Sequence, residues 1–243
     1  MKKTFKIAVL AALALIISFS GMNISKAQAA QTGTADPQKY NSHTYTYTVE
    51  DFSTTITGKK RTVDVKCYYM VPSVSGYGKA GKKINKQLKS LFYVDADHLF
   101  EIAEGVADEE SDLFGERPEF CDKTDSWIEY NDEKYLSVSI SKESWYGGVT
   151  NTFLTGYTFD LKTGKAVSIT KATGLSLKKI KKEISEAMKA KEDEYDDTSY
   201  EYLDGMKAAD FRYYLTKDDT CVVTFDPYEL SFGGWYRSFE IKF

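Results

Sequence analysis

Apolar residues alternate with polar ones soon after the start of the chain and again near its end, with two helical stripes between. His43, Tyr45, Tyr47 and Val49 alternate with Thr44, Thr46 and Thr48, the period-two pattern of a half-buried strand. Gly58-Lys59-Lys60 predicts a turn. A second strand follows, with Val63, Val65, Cys67, Tyr69 and Val71 on one face and Pro72 at its end. After the glycine-rich segment 76–81 the period lengthens. Ile84, Leu88, Leu91 and Phe92 lie at helical spacing, and Leu99, Ile102, Ala103 and Val106 extend helix through 95–110. Strands are predicted at 126–130 and 135–141, around an Asn131-Asp132 turn. Residues 153–159 and 166–169 suggest a hairpin about the turn 160–164. Ser176 caps a helix with Leu177, Ile180, Ile184 and Met188 inward, and the acidic run 192–197 reads as a solvated helix end or loop. Strands at 211–215, 221–225 and 235–243 close the chain. This order predicts an α+β fold: antiparallel sheets with amphipathic helices packed on one face.

The first 29 residues follow another logic. Lys2, Lys3 and Lys6 precede an apolar run from Ile7 to Phe19, and Ala27-Gln28-Ala29 supplies a small-x-small cleavage pattern. The run is about 14 residues, short of the ~20 that span a bilayer, so 1–29 reads as a secretory signal peptide with no transmembrane anchor after its removal. Residues 30–42, rich in Thr, Gly, Asp, Pro and Gln, read as a disordered lead. The chain is expected to be secreted or associated with the cell envelope.

Charge narrows the partners. The formal charge of −4 falls to −8 once Lys2, Lys3, Lys6 and Lys26 leave with the leader. Such a surface disfavours nucleic acid and anionic lipid and favours cationic partners through a salt-sensitive field. Solubility alone is a sufficient explanation of the same charge. Export permits a disulfide, but Cys67, Cys121 and Cys221 are odd in number and too widely spaced for a redox or zinc motif. They are expected as buried thiols, with one bridge open.

Catalytic chemistry is sparse. His43 and His98 are the two histidines, on different expected elements. No zinc-protease, nucleophile-elbow or phosphate-loop motif is present, and no catalytic residue, metal site or cofactor is assigned. Glu101, Glu104 and Glu119 keep a two-carboxylate wall hydrolase open as an alternative. Asp95-Ala96-Asp97 opens like a calcium loop but lacks the later glycine and glutamate. Aromatic residues beside glycines stand out: Trp145, Tyr146, Trp235 and Tyr236, together with Tyr228, are the candidate ligand-binding surface, because Tyr and Trp combine large contact area with a polar handle.

Three segments carry a resemblance: Tyr146-Gly147-Gly148, the run from Tyr157 to Lys165, and the run from Phe225 to Leu230. From 146 to 243 the chain resembles a bacterial extracytoplasmic domain of unknown function, the C-terminal domain of RsiV-type anti-sigma factors. Residues 43–145 resemble the domain that precedes the catalytic domain in PdaC-type peptidoglycan deacetylases. The resemblance implies an α+β domain pair, or one continuous unit, that binds rather than catalyses, with lysozyme or peptidoglycan as partner. An accessory domain of unknown ligand is the other alternative. The family's histidine soon after the double glycine is missing, since Val149 and Thr150 follow Gly148.

Overall fold

The computed structural model describes residues 31–40, 43–92, 96–110, 113–148, 150–191, 194–230 and 235–243. The expected leader, 1–29, lies outside them. Among the described residues there are nine strands and five helices, an α+β fold. No helix among them is long and apolar enough to cross a membrane.

Six strands form one sheet in sequence order: β1 (Gln31–Tyr40), β2 (His43–Thr57), β3 (Thr62–Val74), β4 (Glu119–Asn131), β5 (Tyr135–Trp145) and β6 (Asn151–Asp160). Gln31–Tyr40, where composition predicts a disordered lead, pairs antiparallel with β2. The sheet is mixed, because β3 and β4 run parallel. The connection between them carries helices α1 (Gly78–Phe92) and α2 (Ala96–Asp108), and a parallel pair requires a crossover of this kind.

The predicted face of β3 is the observed one, and of the α1 stripe Ile84 and Leu88 are buried and Leu91 half-buried, the Phe92 side chain lying outside what is described. Val63, Val65, Cys67, Tyr69 and Val71 are buried, as are Ile84 and Leu88 of α1 and Leu99, Ala103 and Val106 of α2. Each fully buried aliphatic side chain contributes roughly 1.5–3 kcal/mol. Asn85 fixes α1 to the end of β3 by accepting from Val74 N at 2.8 Å and donating to Val74 O at 2.9 Å.

A second sheet contains β7 (Arg212–Leu215), β8 (Thr220–Phe225) and β9 (Arg237–Lys242), all antiparallel. It shares a separate core with α4 (Leu177–Lys189), whose Ile180, Ile184 and Met188 are buried, and with α5 (Asp197–Gly205). Ser176 caps α4 as expected, accepting from Lys179 N at 3.2 Å. Helix α5 was not expected. Asp196, within the acidic run, closes its first turn as a capping box with Ser199. The predicted strand at 166–169 is reduced to one bridge between Ala166 and Phe159, followed by the short helix α3 (Ile169–Thr173).

The two sheets meet where side chains are small. Ser137, Ser139, Gly156 and Thr158 lie on the face of β5 and β6 opposite Leu136 and Val138, and β7 crosses there. A Cβ on Gly156 would stand 2.2 Å from the carbonyl carbon of Tyr213. Ser137 Oγ accepts from Leu215 N at 3.1 Å and bonds Thr158 Oγ1 at 2.7 Å. Strand β5 serves both cores: Leu136 packs in the first and Tyr135 in the second. The boundary expected between residues 145 and 146 falls inside the first sheet, at the β5–β6 turn.

Candidate functional site

The β8–β9 connection, 226–236, leaves the sheet at the Phe225–Arg237 pair. Arg212, at the start of β7, clamps its first half. Its Nη1 lies 3.2 Å from Asp226 Oδ2, and its Nη2 pairs with Glu229 Oε2. Glu229 also accepts from Asp226 N at 2.6 Å and from the Tyr202 hydroxyl of α5 at 3.0 Å. The Ser199 hydroxyl donates to Leu230 O. The segment 225–230 is therefore a tied turn, and its acidic residues are occupied in tying it.

Tyr228 stands at the crest of this turn with φ +67° and 63% of its surface exposed. A bulky residue in the left-handed region costs on the order of 1–3 kcal/mol and persists only where its surroundings fix it. Here the arginine clamp does so. Burial pushes the Asp226 carboxyl above its ordinary range; Arg212 opposes the shift and Glu229 adds to it.

At the other end of the connection Trp235 is also 63% exposed. It bridges Thr152 at the start of β6, and Tyr236 N donates to Thr152 O at 3.0 Å. Tyr236 is half-buried. Tyr228 and Trp235 thus stand three and two residues from the same closing pair. Gly234 lies outside the described residues.

Trp145 and Tyr146 part company. Trp145, half-buried, pairs with Cys121 at the end of β5, and its neighbour Ser144 lies opposite Asn151. The start of β6 therefore separates Trp145 from Trp235. Tyr146 packs on the first core, its ring 6.4 Å from that of Phe120. Gly147 takes φ +84° beneath Phe114, where a Cβ would meet the ring at 2.3 Å. The Tyr-Gly-Gly motif builds a turn that tucks an aromatic residue under the helices.

The 157–165 motif is likewise a tied turn. Asp160 accepts from Thr163 N at 2.8 Å and Thr163 Oγ1 at 2.9 Å. Gln87 of α1 donates to Gly164 O at 2.7 Å.

Sequence reasoning missed Trp127, which is 42% exposed on β4, and it missed Arg212. Trp127 had a signal, because it sits out of phase with the buried Ser126 and Ile128 on either side. Arg212 had none, since its partners are 14 and 17 residues further along.

Among the described residues no three His, Cys, Asp or Glu side chains lie close enough to hold a metal ion. His43 is on β2 and His98 on α2. Asp95 of the calcium-like opening is outside the described residues. Glu119 pairs with Lys66 on the sheet face away from the helices, whereas Glu101 and Glu104 lie on α2, so the three carboxylates do not converge. All three cysteines are free, Cys67 and Cys221 buried and Cys121 half-buried. Cys67 is in register with Asp122, which places Cys121 on the opposite sheet face.

No protein-family profile and no curated protein matches the chain. Solved structures do. A member of the DUF3298 family from Bacteroides fragilis aligns over 88% of this chain and 90% of its own, with TM-score 0.50 and 13% identity. The likeness is one of fold. A DUF3298 family protein from Pseudomonas aeruginosa covers 80% of this chain and 88% of its own, but at TM-score 0.35 and 11% identity it is too distant to bear on the reading.

Proposed function

We propose that the chain is an exported, non-catalytic binding module of the cell envelope, with wall peptidoglycan or a cationic wall-active protein such as lysozyme as its partner. One observation carries the reading. Two large aromatic side chains, Tyr228 and Trp235, stand in solvent, the first on a turn held by Arg212 and the second at a residue bridged to Thr152 of β6. Exposed aromatics on fixed backbone are the makings of a recognition surface, because little conformational freedom is lost when they are covered. The occupied carboxylates of the turn and the scattered Glu101, Glu104 and Glu119 favour binding over hydrolysis.

The test is sedimentation of the chain with purified wall sacculi, together with calorimetric titration against a C-type lysozyme at low and high salt. Saturable binding to either, without release of reducing ends from the sacculi, supports the proposal. A lysozyme complex should weaken as salt rises, because the −8 charge supplies the attraction. Binding to neither partner, or turnover of the sacculi, overturns it.

A further inference from the structure

Charge is not spread evenly over this chain. Helix α1 carries Lys79, Lys82, Lys83, Lys86 and Lys89, all exposed, and no acidic residue. Its buried positions Ala80, Ile84 and Leu88 face the core and leave the lysines outward. The turn after β6 adds two more. Gln87 donates to Gly164 O at 2.7 Å and Lys83 Nζ to Thr163 O at 3.5 Å. Gly164 fits against α1 so closely that a Cβ would stand 2.5 Å from the Ala80 carbonyl oxygen. Exposed Lys162 and Lys165 flank that contact. Lys59, Lys60, Lys66 and Lys123 each lie within 4.0 Å of a carboxylate, but among the described residues none approaches the lysines of this face so closely.

The arrangement works against the helix. Lys79 with Lys82 and Lys83, and Lys86 with Lys82, Lys83 and Lys89, are like-charge neighbours at i,i+3 or i,i+4. Lys79 also sits in the first turn, where the helix dipole disfavours a cation. A local arrangement kept at the expense of helix stability points to a functional face.

Once Lys79, Lys82, Lys83, Lys86, Lys89, Lys162 and Lys165 are set aside, the −8 of the mature chain becomes −15 for everything else. A flat anionic bilayer would bring that acidic remainder against its own charge. A narrow thread of anions can follow the stripe and leave the rest of the surface untouched, since charges more than about 10 Å apart are screened. Along α1 the lysines recur at roughly 5 Å intervals over about 15 Å. Lysine holds phosphate as a point charge without the fixed bidentate geometry of arginine, which suits a mobile, repeating ligand. Among the described side chains of α1 and the 160–165 turn no large apolar or aromatic one is exposed, so the face has nothing to insert into lipid or to stack on a base.

We infer that α1 and the 160–165 turn form a docking face for a linear phosphodiester polymer of the cell wall. The inference rests on the proposed envelope role for the source of the polymer.

The test titrates the mature chain with poly(glycerol phosphate) across a salt series. Binding should be saturable, with log K falling against log salt at a slope of about −2 to −5, as expected for roughly three to seven phosphate contacts. Replacing three residues together, Lys79→Gln, Lys82→Gln and Lys86→Gln, should weaken binding at least tenfold and flatten the slope by about 2. The melting temperature of that variant should be unchanged or raised, because like-charge pairs are removed. Lys178→Gln, Lys179→Gln and Lys189→Gln together on α4 make the same change in net charge and should leave affinity within about twofold. No binding at low salt overturns the inference, as do equal losses in the two triple variants. Tighter binding to phosphatidylglycerol vesicles or to poly(dT), at matched phosphate, overturns the assignment to a wall polymer. Sacculi separate this inference from the envelope role, because hydrofluoric acid strips phosphodiester polymers and leaves the glycan. Sedimentation with sacculi that is lost after stripping, and lost in the α1 variant, supports the inference. Sedimentation unchanged by both sinks it and leaves the envelope role standing. Polymer binding without affinity for sacculi or lysozyme sinks the envelope role and leaves the phosphate-binding face.

Discussion

The crossing of the two sheets makes a quantitative prediction from one kind of substitution with opposite signs at two places. At Gly156 an alanine Cβ would lie 2.2 Å from Tyr213 C, 2.5 Å from Tyr214 N and 2.6 Å from Tyr213 O. Ordinary contact begins near 3.4 Å, so the β7 backbone must retreat by about 1 Å. The neighbouring bonds cannot follow. Ser137 Oγ to Leu215 N is 3.1 Å and Thr158 Oγ1 to Tyr213 O is already 3.4 Å. Overpacking of about 1–3 kcal/mol plus about 1 kcal/mol for each strained bond gives a loss of roughly 3–5 kcal/mol for Gly156→Ala. Gly105 lies exposed in the interior of α2 with nothing within 4 Å of the added carbon, so Gly105→Ala should gain about 0.5–1 kcal/mol from helix propensity. Urea unfolding followed by tryptophan fluorescence measures both. At about 2–4 °C per kcal/mol for a chain of this size, the melting temperature should fall by ~6–20 °C in the first variant and rise by ~1–4 °C in the second. If Gly156→Ala yields too little folded protein, the double variant with Gly105→Ala supplies the measurement. Gly156→Ala within 1 kcal/mol of wild type would refute the close crossing.

Further predictions follow from buried polar and titrating groups. Asp122 is 1% exposed, accepts from the Tyr69 hydroxyl at 2.9 Å and faces Lys142 at 3.6 Å, so Asp122→Ala should cost about 2–4 kcal/mol in urea unfolding. Asp122→Asn, which keeps an acceptor for Tyr69, should cost less, and equal costs would contradict the role of that bond. Thiol titration should find three reactive groups after unfolding. In the native state Cys67 and Cys221 should be silent, because burial pushes the Cys67 thiol up to about 12 and raises that of Cys221 as well, whereas a native disulfide would leave one thiol after unfolding. The Arg117 hydrogen bond holds the Asp64 carboxyl below its ordinary 3.8 against the opposing effect of burial, and Thr55 adds to the lowering. A lowered folded value means stability that is complete above about pH 4 and lost as pH falls through the folded pKa. Asp64→Asn should therefore flatten the acid limb of the stability profile, and an unchanged limb would exclude the contribution.

What the sequence disclosed follows from where each element finds its partners. The buried face of β3 and the cap and stripe of α4 were legible because their apolar residues repeat at a fixed period and Ser176 acts locally. The first half of β4 was not. Its inward positions include Asp122, Thr124 and Ser126, of which Asp122 accepts from Tyr69 and Ser126 donates to the Met70 carbonyl, so no apolar alternation marks the strand. Parallel pairing of β3 with β4 is decided by how α1 and α2 pack, which no local pattern encodes. The exposed aromatics of the candidate site were visible beside their turns. Tyr146 packs against Phe120 on the first core because Gly147, at positive φ beneath Phe114, lets the chain turn inward there, and glycines beside an aromatic residue permit that turn as readily as exposure. The arginine clamp joins β7 to the connection that follows β8 and left no mark in the sequence.

The sharing of β5 between two cores bears on how the chain assembles. The second core needs Tyr135 from the middle of the chain and Phe239 and Ile241 from its last strand, so it cannot close until nearly all the residues are present. Until then β6 has an open outer edge, and unpaired strand edges invite association between chains. Contacts this distant in sequence predict slow folding for the length. A chain cut at 145 keeps β5 with neither its β6 partner nor its second core, and it should aggregate more readily than the intact chain. The turn that looks like a seam in the sequence is, for folding, the place where the chain can least be divided.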